Sequence, residues 1–397
     1  MIYDYLIIGG GIIGLNIART LKLKFKDANI VVIEKESEVA MHSSGRNSGV
    51  LHAGFYYSAD SLKAKFTRDG NAKMHEFCKS RGLRINRCAK VVVAQNEEEI
   101  KGLEELKRRG DVNGVELHWM SEEELNKKFP LIKTRKKALF SPTTATIDPR
   151  EVTLEFKKVV QELGVEVLTS IAYVKRDHEY EIETSRGSMK FKKLINCAGL
   201  YADKIAKDFG FGKKYVIIPF KGIYLKDKYN VCGLETNVYP VPNLANPFLG
   251  VHYTYAVEDD SKIGPTAIPA FWRENYKGFD NFSLSEMVQI LYYEAKLFIT
   301  NAFGFRNLAI SEVKKYSRSY LLNLAKGLTK PLDMSGFDSW STPGIRAQLL
   351  DTKTLELVQD FVVEGNEVSI HVLNAVSPAF TSSIPFSQWV VDNYIDI

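Results

Sequence analysis

The sequence is poor in the features that mark several common protein classes. Its 397 residues hold four cysteines, Cys78, Cys88, Cys197 and Cys232, and none forms a CxxC pair. That argues against a disulfide scaffold or a zinc knuckle and predicts free thiols in a reducing compartment. No histidine cluster has metal-ligand spacing, so no metal site is expected. No apolar run reaches the roughly 18 residues of a membrane-spanning helix. The apolar opening carries Asp4 where a secretory leader has a basic region, and it lacks a small-residue cleavage site. A net charge of +5 is too small to point to nucleic acid. Internal repeats and low-complexity tracts are missing too. The densest basic run, Lys133-Thr134-Arg135-Lys136-Lys137, reads first as a solvated loop. Its second reading is a contact for an anionic membrane or partner. What remains is an ordinary globular chain, long enough for two cores. A cytoplasmic location is expected, with peripheral contact on the inner membrane face left open.

What is present is concentrated near the N-terminus. Tyr3 to Ile8 is a short apolar run, read as a buried strand, and Gly9-Gly10-Gly11-Ile12-Ile13-Gly14 follows it. Ile13, Ile17 and Leu21 then recur at helical spacing. Gly9 permits a tight turn, Gly11 admits a pyrophosphate to the backbone, and Gly14 with Ala18 lets the helix lie close on a sheet. The helix N-terminus offers its N–H groups to phosphate. A second apolar strand, Asn29 to Ile33, ends at Glu34, twenty residues beyond Gly14. An acid at that place accepts hydrogen bonds from a ribose diol and disfavours a 2′-phosphate. Strand, glycines, helix, strand and acid in this order predict a bound dinucleotide.

NAD and FAD both use such a unit, and the sequence after it separates them. An NAD domain continues with alternating helices and strands. Here Ser44-Gly45-Arg46-Asn47-Ser48-Gly49-Val50-Leu51-His52 forms a glycine-rich polar ribbon instead. Such a ribbon suits the extended contact of a flavin. Its glycines bring N–H groups close, its serines and Asn47 bond phosphate and ring edges, and Arg46 complements pyrophosphate charge. Far downstream, Lys193 to Asn196 is a short strand ending on Cys197-Ala198-Gly199, whose turn is expected beside the dinucleotide. Asp148-Pro149-Arg150-Glu151 opens a helix, with Val152, Phe156, Val159 and Leu163 as its buried stripe. Capping boxes also stand at Ser121/Glu124 and Ser283/Glu286, residues 215–275 read as strands, and 283–330 read as mostly helical.

On "YDYLIIGGGIIGLNIA", "EKE" at 34–36, "NSGVLHAGFYY", "INCAGLYAD", "PFKGIY" at 219–224, "PFLGVHYT" at 247–254, "GIRAQ" at 344–348 and "NAVSPAFTSSIP" at 374–385, the chain resembles the D-amino-acid-oxidase-type FAD-dependent oxidoreductases. Within them it is most similar to L-2-hydroxyglutarate dehydrogenases and oxidases. The resemblance implies an α/β fold. A Rossmann-like FAD-binding domain, three-layered on a mostly parallel sheet, would take residues 1–80, 145–212 and 341–397. An inserted α+β substrate domain on a mixed sheet would take 81–144 and 213–340, with the substrate at the junction. FAD contacts are expected from Gly9, Gly11, Ile12, Ile13, Gly14, Glu34, Lys35, Ser44, Arg46, Asn47, Ser48, Gly49, Val50, Val174, Cys197, Ala198, Gly199, Arg346, Ser377, Pro378, Ala379 and Thr381.

The implied reaction is oxidation of L-2-hydroxyglutarate, or a close 2-hydroxy acid, to the 2-oxo acid by hydride transfer to flavin N5. Electrons then pass to oxygen or a membrane quinone. An amino-acid or amine oxidase and a glycerol-3-phosphate-type dehydrogenase are the alternatives. A base must take the hydroxyl proton, and His52 and His252 are both candidates. His371 could also reach the ring. Arg346 is the first choice for gripping a carboxylate with its forked guanidinium, and Lys221 supplies a second, point-like cation. Ser377 is expected to cap a helix begun by Pro378, whose N-terminal field would stabilise a reduced flavin.

Overall fold

The computed structural model describes residues 1–242 and 250–395. Pro247, Phe248 and Leu249 of the "PFLGVHYT" stretch lie outside the described residues. The chain divides into two compact units.

The first unit comprises Met1–Asn47, Pro149–Pro219 and Ile345–Ile397. The strand Ile2–Ile8 lies at its centre, parallel to Ile30–Ile33 on one side and to Gly187–Asn196 on the other. Glu166–Leu168 extends the sheet beyond Ile30–Ile33, and Ser369–Asn374 extends it beyond Gly187–Asn196, both in parallel register. A β-hairpin of Tyr173–His178 and Glu181–Thr184 and the strand Val362–Gly365 add antiparallel edges. Strands buried on both faces read as continuous apolar runs, as Ile30-Val31-Val32-Ile33 does. Leu6, Ile8, Val31, Ile33 and Leu194 pack beneath Ile205 of the helix Ala202–Asp208. Ile7 points the other way, toward Gly14 of the helix Ile12–Lys24. That helix packs in turn on Pro149–Glu162 and Ala379–Tyr394. The sheet therefore lies between helical layers. Each aliphatic side chain fully buried this way contributes roughly 1.5–3 kcal/mol.

The stripe of helix Pro149–Glu162 runs Val152, Phe156, Val160, all fully buried. Val159 and Leu163, expected in it, are half-buried. A strict four-residue step carries the buried face through Val160 on this short helix.

The second unit comprises Ser48–Asp148 and Phe220–Gly344. Its first boundary falls at 47/48, ahead of the expected 80. The helix Leu62–Ser80 is tied to this unit by Asn71, whose Nδ2 donates to the carbonyls of Leu51, His52 and Thr143. An eight-stranded mixed sheet runs in the order Phe337–Trp340, Leu225–Asp227, Ser261–Gly264, His252–Tyr255, Asn237–Pro240, Lys90–Val93, Lys137–Ser141, His118–Ser121. Its pairs are antiparallel except Asn237–Pro240 with Lys90–Val93. Period-two alternation gives this sheet two different faces. Val91, Val93, Val238, Tyr253 and Ile263 form one apolar core with Leu321, Ala325 and Leu328. Lys90, Tyr239, His252 and Thr254 occupy the opposite face.

The capping box at Ser121/Glu124 forms in full, and the one expected at Ser283/Glu286 forms only its Ser283 half, since the Glu286 carboxylate accepts from Arg273 N. Ser121 Oγ accepts from Glu124 N while the Glu124 carboxylate accepts from Ser121 N, and Ser283 Oγ accepts from Glu286 N. The basic run is not a free patch. Arg135 and Lys136 pair with Glu97, and Lys137 pairs with Glu104. All four cysteines are free thiols.

Candidate active site

In the first unit the glycine turn has no room for side chains. Gly9 has φ +108°, and a Cβ there would stand 2.5 Å from the Cys197 carbonyl oxygen. A Cβ at Gly14 would stand 2.1 Å from the Gly9 carbonyl oxygen. At Gly11 the nearest atom to such a Cβ is Ser44 Oγ, at 3.0 Å, and that hydroxyl accepts from Ile12 N at 2.9 Å. Helix Ile12–Lys24 thus starts with no side-chain cap from Gly11 and no acid in its first turn. Its N-terminal field is left for an anion. Glu34 is fixed beside this turn: Oε2 accepts from Gly10 N at 2.8 Å and Oε1 from Glu36 N at 3.0 Å. Lys35 pairs with Glu36 and lies 5.6 Å from the Tyr201 ring centroid.

Across the sheet, Cys197 N donates to Ile8 O, and Ala198 N donates to Asn196 Oδ1. Gly199, at φ +53°, opens a short 3₁₀ turn. The Cys197 thiol is pushed up by burial, so it stays a neutral thiol. Asn47 braces the ribbon by donating to the carbonyls of Ser43 and Ser44. Arg46 is half-buried. Arg346 lies half-buried on the strand Gly344–Asp351.

Val174, expected at FAD, is 53% exposed on an edge hairpin. Two other expectations for this unit change. The C-terminal helix begins at Ala379, with Pro378 in the cap position and no side-chain cap from it; Ser377 lies outside the helix and is exposed. At ψ 39°, Pro378 has left the helical region, which moves the start by one residue. Ala379 and Thr381, in the first turn, are buried. His371 is a core histidine. Its Nδ1 meets Asn196 Nδ2 at 3.1 Å, its Nε2 meets Ser369 Oγ at 2.9 Å, and it lies against Phe209 and Phe211. Burial pushes it down to about 3.

In the second unit Gly49 turns at φ +77° and its carbonyl accepts from Ile147 N. Ser48 Oγ accepts from Val50 N, and Val50–Leu51 pairs with Ala145–Ile147. His52 and His252 are both buried. His252 Nδ1 lies 2.8 Å from Gly250 O, and its ring stacks on Tyr239 at 3.7 Å. Burial holds His252 down to about 3, with Lys90 and Lys315 adding to the effect. Burial likewise holds His52 well below the usual imidazole range, with Lys90 and His252 contributing. Both imidazoles are therefore uncharged at neutral pH and able to accept a proton. Lys221 is buried, and its Nζ lies 3.5 Å from Asn275 Oδ1. Burial lowers its proton affinity. The sequence reading passed over Lys90, Tyr56 and Tyr239, which share this environment. A lysine opening the run Lys90-Val91-Val92-Val93 was the available signal.

The family described as FAD dependent oxidoreductase matches residues 4–392. The chain belongs to this family. FAD is its cofactor, and the tight glycine turn, the helix start free of acidic side chains and the fixed Glu34 carboxylate fit a dinucleotide. The oxidoreductase is 36% identical to the mitochondrial L-2-hydroxyglutarate dehydrogenase of Homo sapiens, over 98% of this chain and 88% of the relative. It is 35% identical to the L-2-hydroxyglutarate dehydrogenase of Escherichia coli K12, over 98% and 92%. Its fold is that of the FAD-bound L-α-glycerophosphate oxidase of Mycoplasma pneumoniae, with TM-score 0.75, 21% identity, and coverage of 99% of this chain and 95% of that one. The glycine oxidase of Geobacillus kaustophilus has the same fold, with TM-score 0.72, 17% identity, and coverage of 99% and 94%.

Gly14→Ala is expected to abolish FAD retention, because the new methyl overlaps the Gly9 carbonyl. Absorbance near the flavin bands after gel filtration reads it, and a variant that stays yellow contradicts the packing. The oxidoreductase should also lose stability in acid. An imidazole held at about 3 when folded and near 6.5 when unfolded binds its proton first in the unfolded chain. That stability is complete above about 6.5 and drains as pH falls toward about 3. Melting temperature against pH should fall over this window, and less steeply in His371→Gln. Parallel curves for the two proteins contradict the assignment.

Proposed function

We propose that this oxidoreductase converts L-2-hydroxyglutarate, or a close 2-hydroxy acid, to the corresponding 2-oxo acid. One observation carries the reading: relatives matching 98% of the chain at 35–36% identity are themselves L-2-hydroxyglutarate dehydrogenases. When bound, FAD supplies the two-electron acceptor. The residues assigned to hold it are the Gly9–Gly14 turn with Ile12 and Ile13, Glu34 with Lys35, Ser44 to Val50, Cys197 to Gly199, and the start of the Ala379–Tyr394 helix with Thr381. The chain's own chemistry is proton and charge management. His52 or His252, kept neutral by burial, accepts the hydroxyl proton as the carbonyl forms. Arg346 grips one carboxylate through two parallel hydrogen bonds. Lys221 offers a second positive charge whose buried ammonium gains from an anionic partner.

Anaerobic addition of L-2-hydroxyglutarate should bleach the flavin, while glycine and glycerol 3-phosphate leave it yellow. Persistence of the oxidised spectrum with L-2-hydroxyglutarate overturns the substrate. Arg346→Lys should raise KM at least tenfold, since a lysine has no fork. Loss of both histidines should slow bleaching by roughly 10²–10⁴. A double variant as fast as the parent removes them from proton transfer.

Electrons leave to oxygen or to a membrane quinone, and a peripheral membrane contact belongs to the second route. Among the described residues no helix is long and apolar enough to cross a bilayer. The segment 271–330 supports surface contact. Phe279, Leu284, Val288, Tyr292 and Ile299 are each at least 60% exposed. Between 284 and 326 the three carboxylates, Glu286, Glu294 and Glu312, are buried, whereas Arg306, Lys314, Arg318 and Lys326 face solvent. An exposed apolar stretch accompanied by these cations, with Asp280 the one exposed carboxylate between 271 and 330, suits anionic lipid headgroups. The protein should float with phosphatidylglycerol vesicles and not with phosphatidylcholine vesicles. Val288→Ser with Ile299→Ser should abolish flotation while leaving flavin bleaching intact. Failure to float, or self-association through this face instead, rejects the contact.

A further inference from the structure

The mixed sheet of the second unit buries one charge that the proposed reaction has not used. Lys90 opens the strand Lys90–Val93, and its side chain has no exposed surface. Among the described residues its Nζ has no hydrogen-bond partner. Aromatic rings surround it instead. Nζ lies 4.1 Å from the Tyr239 centroid, 5.0 Å from that of Tyr56 and 5.7 Å from that of Phe55. Tyr239 is the same ring on which His252 stacks. Phe55 and Tyr56 follow His52 by only three and four residues in the chain. Lys90 and His252 thus share the Tyr239 ring on one face of the sheet, and His52 stands just ahead, in the chain, of the Phe55–Tyr56 pair that covers the lysine.

An ammonium in such a place is costly unless something repays it. Ring faces repay part of the cost by attracting a cation through their quadrupoles. Burial pushes Lys90 down to about 7, with Cys88 acting weakly in the other direction. Below that pH the side chain is a fixed positive charge with no carboxylate acting on it. The other titratable groups here are Tyr56, Tyr224 and Tyr239, and burial pushes all three phenols up, so none offers an anion. Lys315, acting on His252, is the only other cation among these influences. A packing role alone would be met by Met or Leu without the cost of burying a charge.

We infer that Lys90 is a positioning residue of the oxidation: a caged positive charge that adds to burial in holding down the proton affinity of His52 and His252, and so sets how far into acid the two imidazoles stay in their proton-accepting form. The inference rests on the 2-hydroxy-acid reading for its catalytic meaning, but its electrostatic content stands without a substrate. The ammonium disfavours a second positive charge nearby, so it extends into more acid solution the range in which both imidazoles are free to take the substrate's hydroxyl proton. The lysine itself gains and loses no bond in the reaction.

The test uses the FAD-loaded protein. Histidine resonances of the substrate-free enzyme are titrated by NMR in the parent, Lys90→Met and Lys90→Gln. Removing the charge should raise the titration midpoints of His52 and His252 by about one pH unit, a tenfold change in proton affinity. The acid limb of the flavin-bleaching rate should move up by a similar amount, and Lys90→Arg, which keeps the charge, should return it toward the parent. Unchanged histidine midpoints in both neutral variants overturn the inference, even if L-2-hydroxyglutarate bleaches the flavin normally. If bleaching fails in the parent but the midpoints move, the substrate reading falls and this one stands. Should neither neutral variant fold, the parent still decides: the His52 and His252 signals must show a second, smaller inflection near pH 7 as Lys90 deprotonates, and a flat response there overturns the inference.

Discussion

The first unit depends on one placement, that of Ile2–Ile8 in the middle of a parallel sheet. From it the chain moves one way to Ile30–Ile33 and Glu166–Leu168, and the other way to Gly187–Asn196 and Ser369–Asn374. Strand order therefore reverses beside its C-terminal end. Loops leaving adjacent strands in opposite directions open a crevice there, where ligands of such folds bind. Gly9 and Cys197 are the two residues at its rim, close enough that one extra carbon at Gly9 would overlap the Cys197 carbonyl. The glycines of the fingerprint are required by this crowding as much as by any phosphate. Two segments separated by nearly two hundred residues can meet there only if neither carries a Cβ into the gap.

That geometry explains which parts were legible in the sequence. The turn, Glu34 and the strand ending at Cys197 all depend on local patterns: an apolar run, a glycine spacing, an acid at a strand end. So do the capping box at Ser121 and the cap at Ser283, where side chain and backbone partners are three residues apart. What was missed depends on distant partners. The helix Leu62–Ser80 belongs to the second unit because Asn71 bonds Leu51, His52 and Thr143. His371 looks like any free histidine in sequence, and only its meeting with Asn196 and Ser369 makes it a core residue. Three of the four cations in the basic run at 133–137 are paired with Glu97 and Glu104, more than thirty residues earlier. The helix at Ala379 starts one residue later than its Ser-Pro sequence suggests, since the backbone at Pro378 is already committed to a turn.

The sheet of the second unit shows how a period of two divides labour. Val91, Val93, Val238, Tyr253 and Ile263 give one face to a close-packed apolar core, and no chemistry is possible there. The residues between them, Lys90, Tyr239, His252 and Thr254, are buried but polar. Placing such groups in a low dielectric costs stability, and strands with one wholly apolar face can bear that cost. It also strengthens every charge that remains. Two histidines left neutral and one lysine left without a carboxylate would be poor choices for a scaffold. They suit the proton uptake proposed for this site. The apolar core and the buried polar groups thus come from alternate residues of the same strands, so a one-residue register slip would exchange the two faces.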